Sequence, residues 1–285
     1  RLPELYRGLL RIEVMLVRPD STFFRRLARS LERIAATLDP YIQIHRSFVD
    51  ETNPHAIAGH IRANALRRTG LILAVPNHPA IRDAVSACLS AGVPVIHIVT
   101  RADDIAGELV SIDNYAAGRT AAMLMSRMQQ KSGTVIALCN PIFQVHHARM
   151  RGFSDYFAEH PRVGLDFAWT GFARDDADRA CDLLHEALAA FPDLVGIYNT
   201  GAANGALSAF LRRRKRAGDI FFVGHELTDR SAEALRDGVM SVVLDQAPEA
   251  QARRAIDLLL KEIGLLDVEV DRSPIRFVTV TAENL

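Results

Sequence analysis

An α/β fold of two similar lobes, each a doubly wound parallel sheet, is what this sequence predicts, and three observations predict it. Short apolar runs alternate strictly with segments of helical periodicity along the whole chain. Several runs, such as Leu71–Val75, are continuously apolar, as strands buried on both faces are. The alternation loosens around Thr100–Gly107 and then restarts, and 285 residues suffice for two such cycles.

The elements follow in order. Arg1–Leu10 reads as a short amphipathic lead-in, and Ile12–Val17 as the first buried strand, stopped by Pro19-Asp20. After Ser21-Thr22 a helix carries Leu27, Leu31, Ile34 and Leu38 on one seam, with Arg25, Arg29, Glu32 and Arg33 outside. A strand over Ile42–Phe48 follows, and Asn53-Pro54 opens the next helix as cap and first-turn proline. After the Leu71–Val75 strand, Pro76-Asn-His-Pro79 leads into a helix bearing Ile81, Val85, Cys88 and Leu89, and Val93–Val99 is the fourth strand. The second cycle has strands at Leu109–Ile112, Thr134–Leu138 and Leu165–Trp169. Its helices run from Asp113 to near Gln130, over Arg149–Ala158 and over Ala177–Ala190. Strands Val195–Tyr198, Ile220–Val223 and Ser241–Leu244 come next, separated by helices that end at Gly218 and Gly238. A long helix over Glu249–Ile263 and a strand over Ile275–Val280 close the chain. With no low-complexity linker, the lobes are expected to share short crossings and to move by a hinge.

Composition narrows the function. Thirty-four basic and 34 acidic side chains cancel, so the chain as a whole offers no strong nonspecific attraction to nucleic acid or anionic membranes. Cys88, Cys139 and Cys181 are far apart, each inside an apolar pattern, and read as reduced core thiols. No apolar run reaches the roughly 18 residues of a membrane span. The adjacent His146-His147 pair has no partner at ligand spacing, so neither a metal nor another cofactor is expected. Arg212–Arg216 sits at a helix C-terminus, where cations suit the dipole, and reads as a solvated face. No phosphate loop, nucleophile elbow or acid/base pair appears, so an enzyme is not expected.

Three strand-to-loop exits carry the chemistry: Asn199-Thr-Gly-Ala-Ala-Asn-Gly205, Gly224-His-Glu-Leu-Thr-Asp229 and Asp245-Gln246. In a doubly wound sheet successive strand ends face one crevice, so Asn199, Glu226 and Gln246 are expected to converge on one small molecule.

At Ser111-Ile-Asp-Asn-Tyr-Ala-Ala-Gly-Arg119 the chain resembles the effector-binding domain of lactose-repressor-family transcription regulators, which share the type I periplasmic sugar-binding-protein fold. Asp20-Ser-Thr-Phe-Phe24, Ala148-Arg-Met-Arg-Gly-Phe153, the Asn199 loop, Gly224-His-Glu-Leu-Thr228 and Asp245-Gln-Ala-Pro248 add to the resemblance, in the family's order. It implies two lobes joined by three crossings, residues 1–110 plus 247–270 and residues 111–246 plus 271–285. It also implies closure on a monosaccharide or related polyol, a homodimer, and operator DNA reached through a helix-turn-helix domain absent from this chain. A cytoplasmic location follows from that reading. A solute receptor feeding a sugar transporter is the alternative.

The resemblance also assigns residues. Arg149, three before Gly152, matches the family's ligand-binding arginine, whose fixed fork of donors suits vicinal hydroxyls. A surface arginine at a helix start is the other reading. Asn199 matches a strand-end asparagine able to give and take hydrogen bonds, against a turn-forming role. Glu226 stands where Gly-x-Asp-Asp is common and keeps the carboxylate on a longer arm, against a capping or salt-bridging role. Gln246 reads equally as ligand contact or hinge, and Phe24 as a sugar-stacking aromatic or a helix-start staple. Asn77 and His78 occupy a first-lobe loop facing the crevice, while Asp113 and Asn114 read as a crossing or helix cap.

Overall fold

A computed structural model describes residues 9–285 except 66, 102, 103 and 142, so most of the predicted lead-in lies outside the described residues. In chain order the elements are β1 (Leu10–Leu16), α1 (Thr22–Ala35), β2 (Ile42–Phe48), α2 (Pro54–Ala65), β3 (Gly70–Leu73), α3 (Pro79–Ser90), β4 (Val95–Ile98) and β5 (Glu108–Val110). Then come α4 (Asn114–Met128), β6 (Gly133–Cys139), α5 (Gln144–Glu159), β7 (Leu165–Phe172), α6 (Ala177–Ala190), β8 (Leu194–Asn199) and α7 (Asn204–Arg213). The chain finishes with β9 (Phe221–His225), α8 (Asp229–Arg236), β10 (Val242–Asp245), α9 (Pro248–Glu262) and β11 (Val278–Val280).

The chain divides into two compact units. The first holds the residues up to Ser111 together with Ala247–Ile275, and the second holds Ile112–Gln246 with Arg276–Leu285.

In the first unit a parallel sheet runs β2-β1-β3-β4-β5. Helices α2 and α3 cover one face: Ile57, Ile61, Ile81, Val85 and Cys88 pack on Met15, Leu71, Leu73 and Val95. Helix α9 lies on β3 and β4 and packs against α1. The seam predicted for α1 holds for Leu27 and Leu31, both fully buried, and for Ile34, while Leu38 falls beyond the helix end at Ala35 and is half-buried. Each such side chain contributes about 1.5–3 kcal/mol through burial. The start of α2 follows sequence logic, with Asn53 Oδ1 accepting from the Ala56 N–H at 3.0 Å, whereas α3 starts on a cap not expected from the sequence, His78 Nδ1 accepting from the Ala80 N–H at 3.2 Å.

The second unit repeats the winding, with strands β7-β6-β8-β9-β10 in the same relative order as β2-β1-β3-β4-β5. Helices α6, α7 and α8 bury Leu183, Leu184, Leu207, Leu211 and Leu235 against Leu138, Ile197, Phe222 and Val243. Helices α4 and α5 pack on each other, and Phe153 of α5 stacks on Tyr198 of β8 with ring centres 4.6 Å apart.

One strand departs from the all-parallel expectation. β11 joins the edge beyond β10 antiparallel, with Asp245 opposite Val278 and Val243 opposite Val280. Chain connectivity explains it. β10 runs out to the first unit through Gln246 and Ala247, and the chain returns at Arg276, so it re-enters where β10 ended and must run backwards.

Candidate functional site

In the second unit the winding reverses between β6 and β8, and the crevice outside the carboxyl ends of strands at such a switch point is where these sheets hold ligands. Asn140 follows β6 there, Asn199 ends β8, and Thr200 follows it. All three are buried.

Arg149 reaches this point from α5. Its backbone is fixed by the crossing of α4 and α5, where two glycines make room for main chain. A Cβ on Gly118 would collide with the Arg149 carbonyl oxygen, and one on Gly152 with the Tyr115 carbonyl oxygen. This is the physical content of the Arg149-to-Gly152 spacing noted in the sequence, and Gly118 makes the matching room on α4. The guanidinium is then held by two bonds: Nε donates to Asn114 Oδ1 at 2.8 Å, and Nη1 to the Thr200 carbonyl at 2.6 Å. Asn114 is placed by α4, whose cap is Asp113: Oδ1 of Asp113 accepts from the Ala116 N–H at 2.8 Å.

The third nitrogen, Nη2, is buried with no hydrogen-bond partner among the described residues, although Arg149 is 2% exposed. No carboxylate forms an ion pair with this arginine among those residues. Burial pulls its pKa down, and Tyr198, Glu226 and Asp175 oppose that pull. A guanidinium stays charged even so. A buried cation with an open donor is a group built to receive an acceptor.

Around it lies more buried polarity. His146 Nδ1 sits 2.9 Å from Thr200 Oγ1. Tyr198 Oη and His225 Nε2 are 2.9 Å apart, both inside the core. Burial, then the nearby Arg149 and His146, hold His225 well below the usual imidazole range, so it is neutral. Burial raises the Tyr198 phenol above its usual value, so it too is neutral. Asn199 is engaged inside its own loop, its Nδ2 facing the carbonyls of Gly201 and Ala202 and Oδ1 of Asn204. Asn204 in turn donates to the His225 carbonyl at 2.6 Å.

Glu226 follows β9 with φ of +73°, a left-handed backbone uncommon outside glycine. Its Oε1 accepts from Gln246 Nε2, and its carbonyl accepts from Ser231 Oγ at 2.8 Å. The strand-end residues Glu226 and Gln246 are thus joined, and Glu226 is close enough to Arg149 to act on its charge.

Phe24, Asn77 and His78 belong to the first unit. Phe24 is 9% exposed and sits edge-on to Phe23, with ring centres 5.2 Å apart. Asn77 Oδ1 accepts from Arg82 Nη1 at 3.1 Å. His78 caps α3 and lies edge-on to His55, with ring centres 5.1 Å apart. Among the predicted residues, therefore, Arg149, Glu226 and Gln246 gather at the strand ends of the second unit, with Asn199 ordering the adjacent loop.

Sequence reasoning missed Thr200, His146, Tyr198, His225 and Asn204 as parts of this arrangement. The available signal was a polar residue at or just past the end of an otherwise apolar strand: His225 ends β9 and Thr200 follows β8. A groove of about 340 Å³ between α5 and the end of β7 is lined by Asn140, His146, Met150, Phe167 and Phe172 among others, so the network borders open space on that side.

Comparisons with known proteins agree with the architecture. Residues 12–264 match the family model described as a periplasmic binding protein domain. The chain is 25% identical over 215 residues to the ribose import binding protein of Salmonella typhimurium, covering 73% of this chain and 70% of that one. A glucose-galactose binding protein from Geobacillus stearothermophilus superposes with a TM-score of 0.85 at 17% identity, over 98% of this chain and 99% of its own. A solute binding protein from Actinobacillus succinogenes with bound D-allose gives 0.85 at 20% identity, over 96% and 98%. A protein assigned as a LacI transcriptional regulator from Bacteroides fragilis gives 0.82 at 17% identity, over 98% of each chain. At these identities the structures establish the fold, that of type I periplasmic binding proteins.

Proposed function

Because this chain belongs to the periplasmic binding protein domain family, we propose that it binds a sugar or related small polyol as the solute receptor of an import system. The observation that carries the binding reading is the buried Arg149, whose Nη2 lacks a partner among the described residues at the strand-order switch of the second unit. A ligand hydroxyl offers the acceptor that Nη2 lacks. Glu226 places a carboxylate near the same arginine without an ion pair to it, and its negative charge works against an anionic ligand, so a neutral one is matched better. The import reading draws on the ribose import relative and on the sugar-binding proteins that share the fold.

A second reading keeps the ligand and changes the reader of the signal: the effector domain of a homodimeric, DNA-binding regulator. The motif set beginning at Ser111 and the shared fold of the Bacteroides fragilis regulator favour it. In that case the location is cytoplasmic, whereas an import receptor works outside the cytoplasmic membrane.

Calorimetric titration with D-ribose, D-allose and D-arabinose tests the ligand class, and saturable binding of at least one is expected. Heats no larger than dilution for all three would remove the proposal. Sedimentation then separates the readings: a monomer at micromolar concentration supports the import receptor, and a dimer supports the regulator.

A further inference from the structure

The loop after β7 holds a carboxylate that no motif pointed to. Asp175 Oδ1 accepts from the Ala202 N–H at 2.9 Å, and Oδ2 accepts from Asn140 Nδ2 at 2.7 Å. One side chain thus bridges the loops after β6 and β8, the two strands between which the sheet reverses. The approach is close enough that a Cβ on Gly201 would collide with Asp175 Oδ1. Asp175 and its neighbour Arg174 both have left-handed backbones, with φ of +60° and +53°. Such a pair persists only where the surroundings over-determine it, and aspartate tolerates it better than most residues.

We propose that Asp175 is the positioning residue of this half-site, holding the 200–202 loop so that the Thr200 carbonyl keeps Arg149 aimed at the ligand. The inference rests on the reading of Arg149 as the ligand contact. The chain of contacts is short. Asp175 fixes Ala202, Thr200 lies two residues earlier, and its carbonyl accepts from Arg149 Nη1 at 2.6 Å. From the other side Thr200 is tied to β6 through its N–H on the Leu138 carbonyl at 2.9 Å. Both groups facing Asp175 in these two bonds are donors, which an acceptor-only side chain suits. Asparagine would satisfy Ala202 with its oxygen but turn an amide towards the amide of Asn140. The negative charge also serves the site, since Asp175 offsets part of the cost of burying Arg149. The same carboxylate, after burial, contributes to raising the Cys139 thiol to about 11.

The test compares the full chain with Asp175→Asn and with the double variant Asp175→Asn/Asn140→Asp, which exchanges donor and acceptor across the bridge. Two readouts are taken: calorimetric affinity for D-ribose, D-allose and D-arabinose, and hydrogen exchange of the Arg149 Nε–H followed by NMR with ¹⁵N-labelled arginine. The single variant is expected to bind about tenfold more weakly or worse and to speed Arg149 exchange by a similar factor. The exchanged pair is expected to recover the Arg149 protection. A residue that served stability alone would leave Arg149 exchange protected below the melting transition. If Asp175→Asn matches the parent in both readouts, or the exchanged pair does not recover that protection, the assignment is overturned. Should the single variant not fold, the exchanged pair carries the test, because it must fold and protect Arg149 as the parent does. If the parent binds none of the three sugars, the sugar reading fails, and Arg149 exchange alone decides the role of Asp175.

Discussion

The two units wind their strands in the same order yet bury charge in opposite ways. In the first unit Glu13, fully buried on β1, is surrounded by partners. Ser47 Oγ donates to Oε1 at 2.8 Å, His60 Nε2 lies 3.5 Å away, and Arg68 Nη2 lies 2.9 Å from Oε2, close enough for an ion pair though not aligned as a hydrogen bond. In the second unit Arg149 is buried at a strand-order switch with two bonds to neutral groups, no carboxylate ion pair and an open Nη2 among the described residues. The contrast teaches that burial of a charge is not itself a sign of function. A charge met by an opposite charge serves the fold, and one with no ion pair and an open donor at a strand-order switch is available for a ligand.

The largest expected effect lies on the matched side. Glu13→Ala leaves Arg68 without its buried counter-charge, and loss of about 3–5 kcal/mol of unfolding free energy is expected in urea titrations. A loss under about 1 kcal/mol would erase the contrast. Arg149→Met is expected to do the reverse. It should cost about 1–3 kcal/mol of sugar affinity while changing stability by less than the Glu13 variant does.

Acid sharpens the comparison through one histidine in each unit. Burial holds His97 down to about 4, despite its bond to the Ala106 carbonyl, and holds His225 well below 6.5. In the unfolded chain both take up protons near 6.5. Between there and the folded values the unfolded state binds more protons, so stability is complete above about pH 6.5 and falls as pH drops. For His97 the loss approaches about 3 kcal/mol by pH 4. His97→Gln is expected to flatten that slope, and chemical denaturation between pH 7 and 4 measures it. An unchanged slope would show that the ring is not the titrating group. The smallest effect is expected at Arg213, exposed on α7, where Arg213→Ala should change stability by within about 0.5 kcal/mol and leave binding alone.

Legibility in the sequence followed the range of the interactions. Helix periodicity, caps and apolar runs are local, so α6 at Ala177–Ala190 and β2 at Ile42–Phe48 coincide with expectation to the residue. Arg149 was legible through a resemblance, from its place three residues before Gly152, a glycine that the helix crossing seating Arg149 needs. Asp175 was not. In Arg174-Asp175-Asp176 it looks like one more solvated loop charge, and its partners lie 35 and 27 residues away. Nor does sequence reveal that Asn199 orders its own loop or that His78 caps a helix, since both roles depend on where a side chain turns.

The central claim is that Arg149 is left incompletely matched for a ligand to complete. Its most direct test is a paired measurement on Arg149→Met: calorimetric affinity for the monosaccharide the parent binds, and unfolding free energy without sugar. The account predicts an affinity loss of about tenfold to hundredfold, with a stability change below about 1 kcal/mol. Parental affinity, or a stability loss of about 3 kcal/mol or more, would contradict it and make Arg149 a structural residue like Glu13.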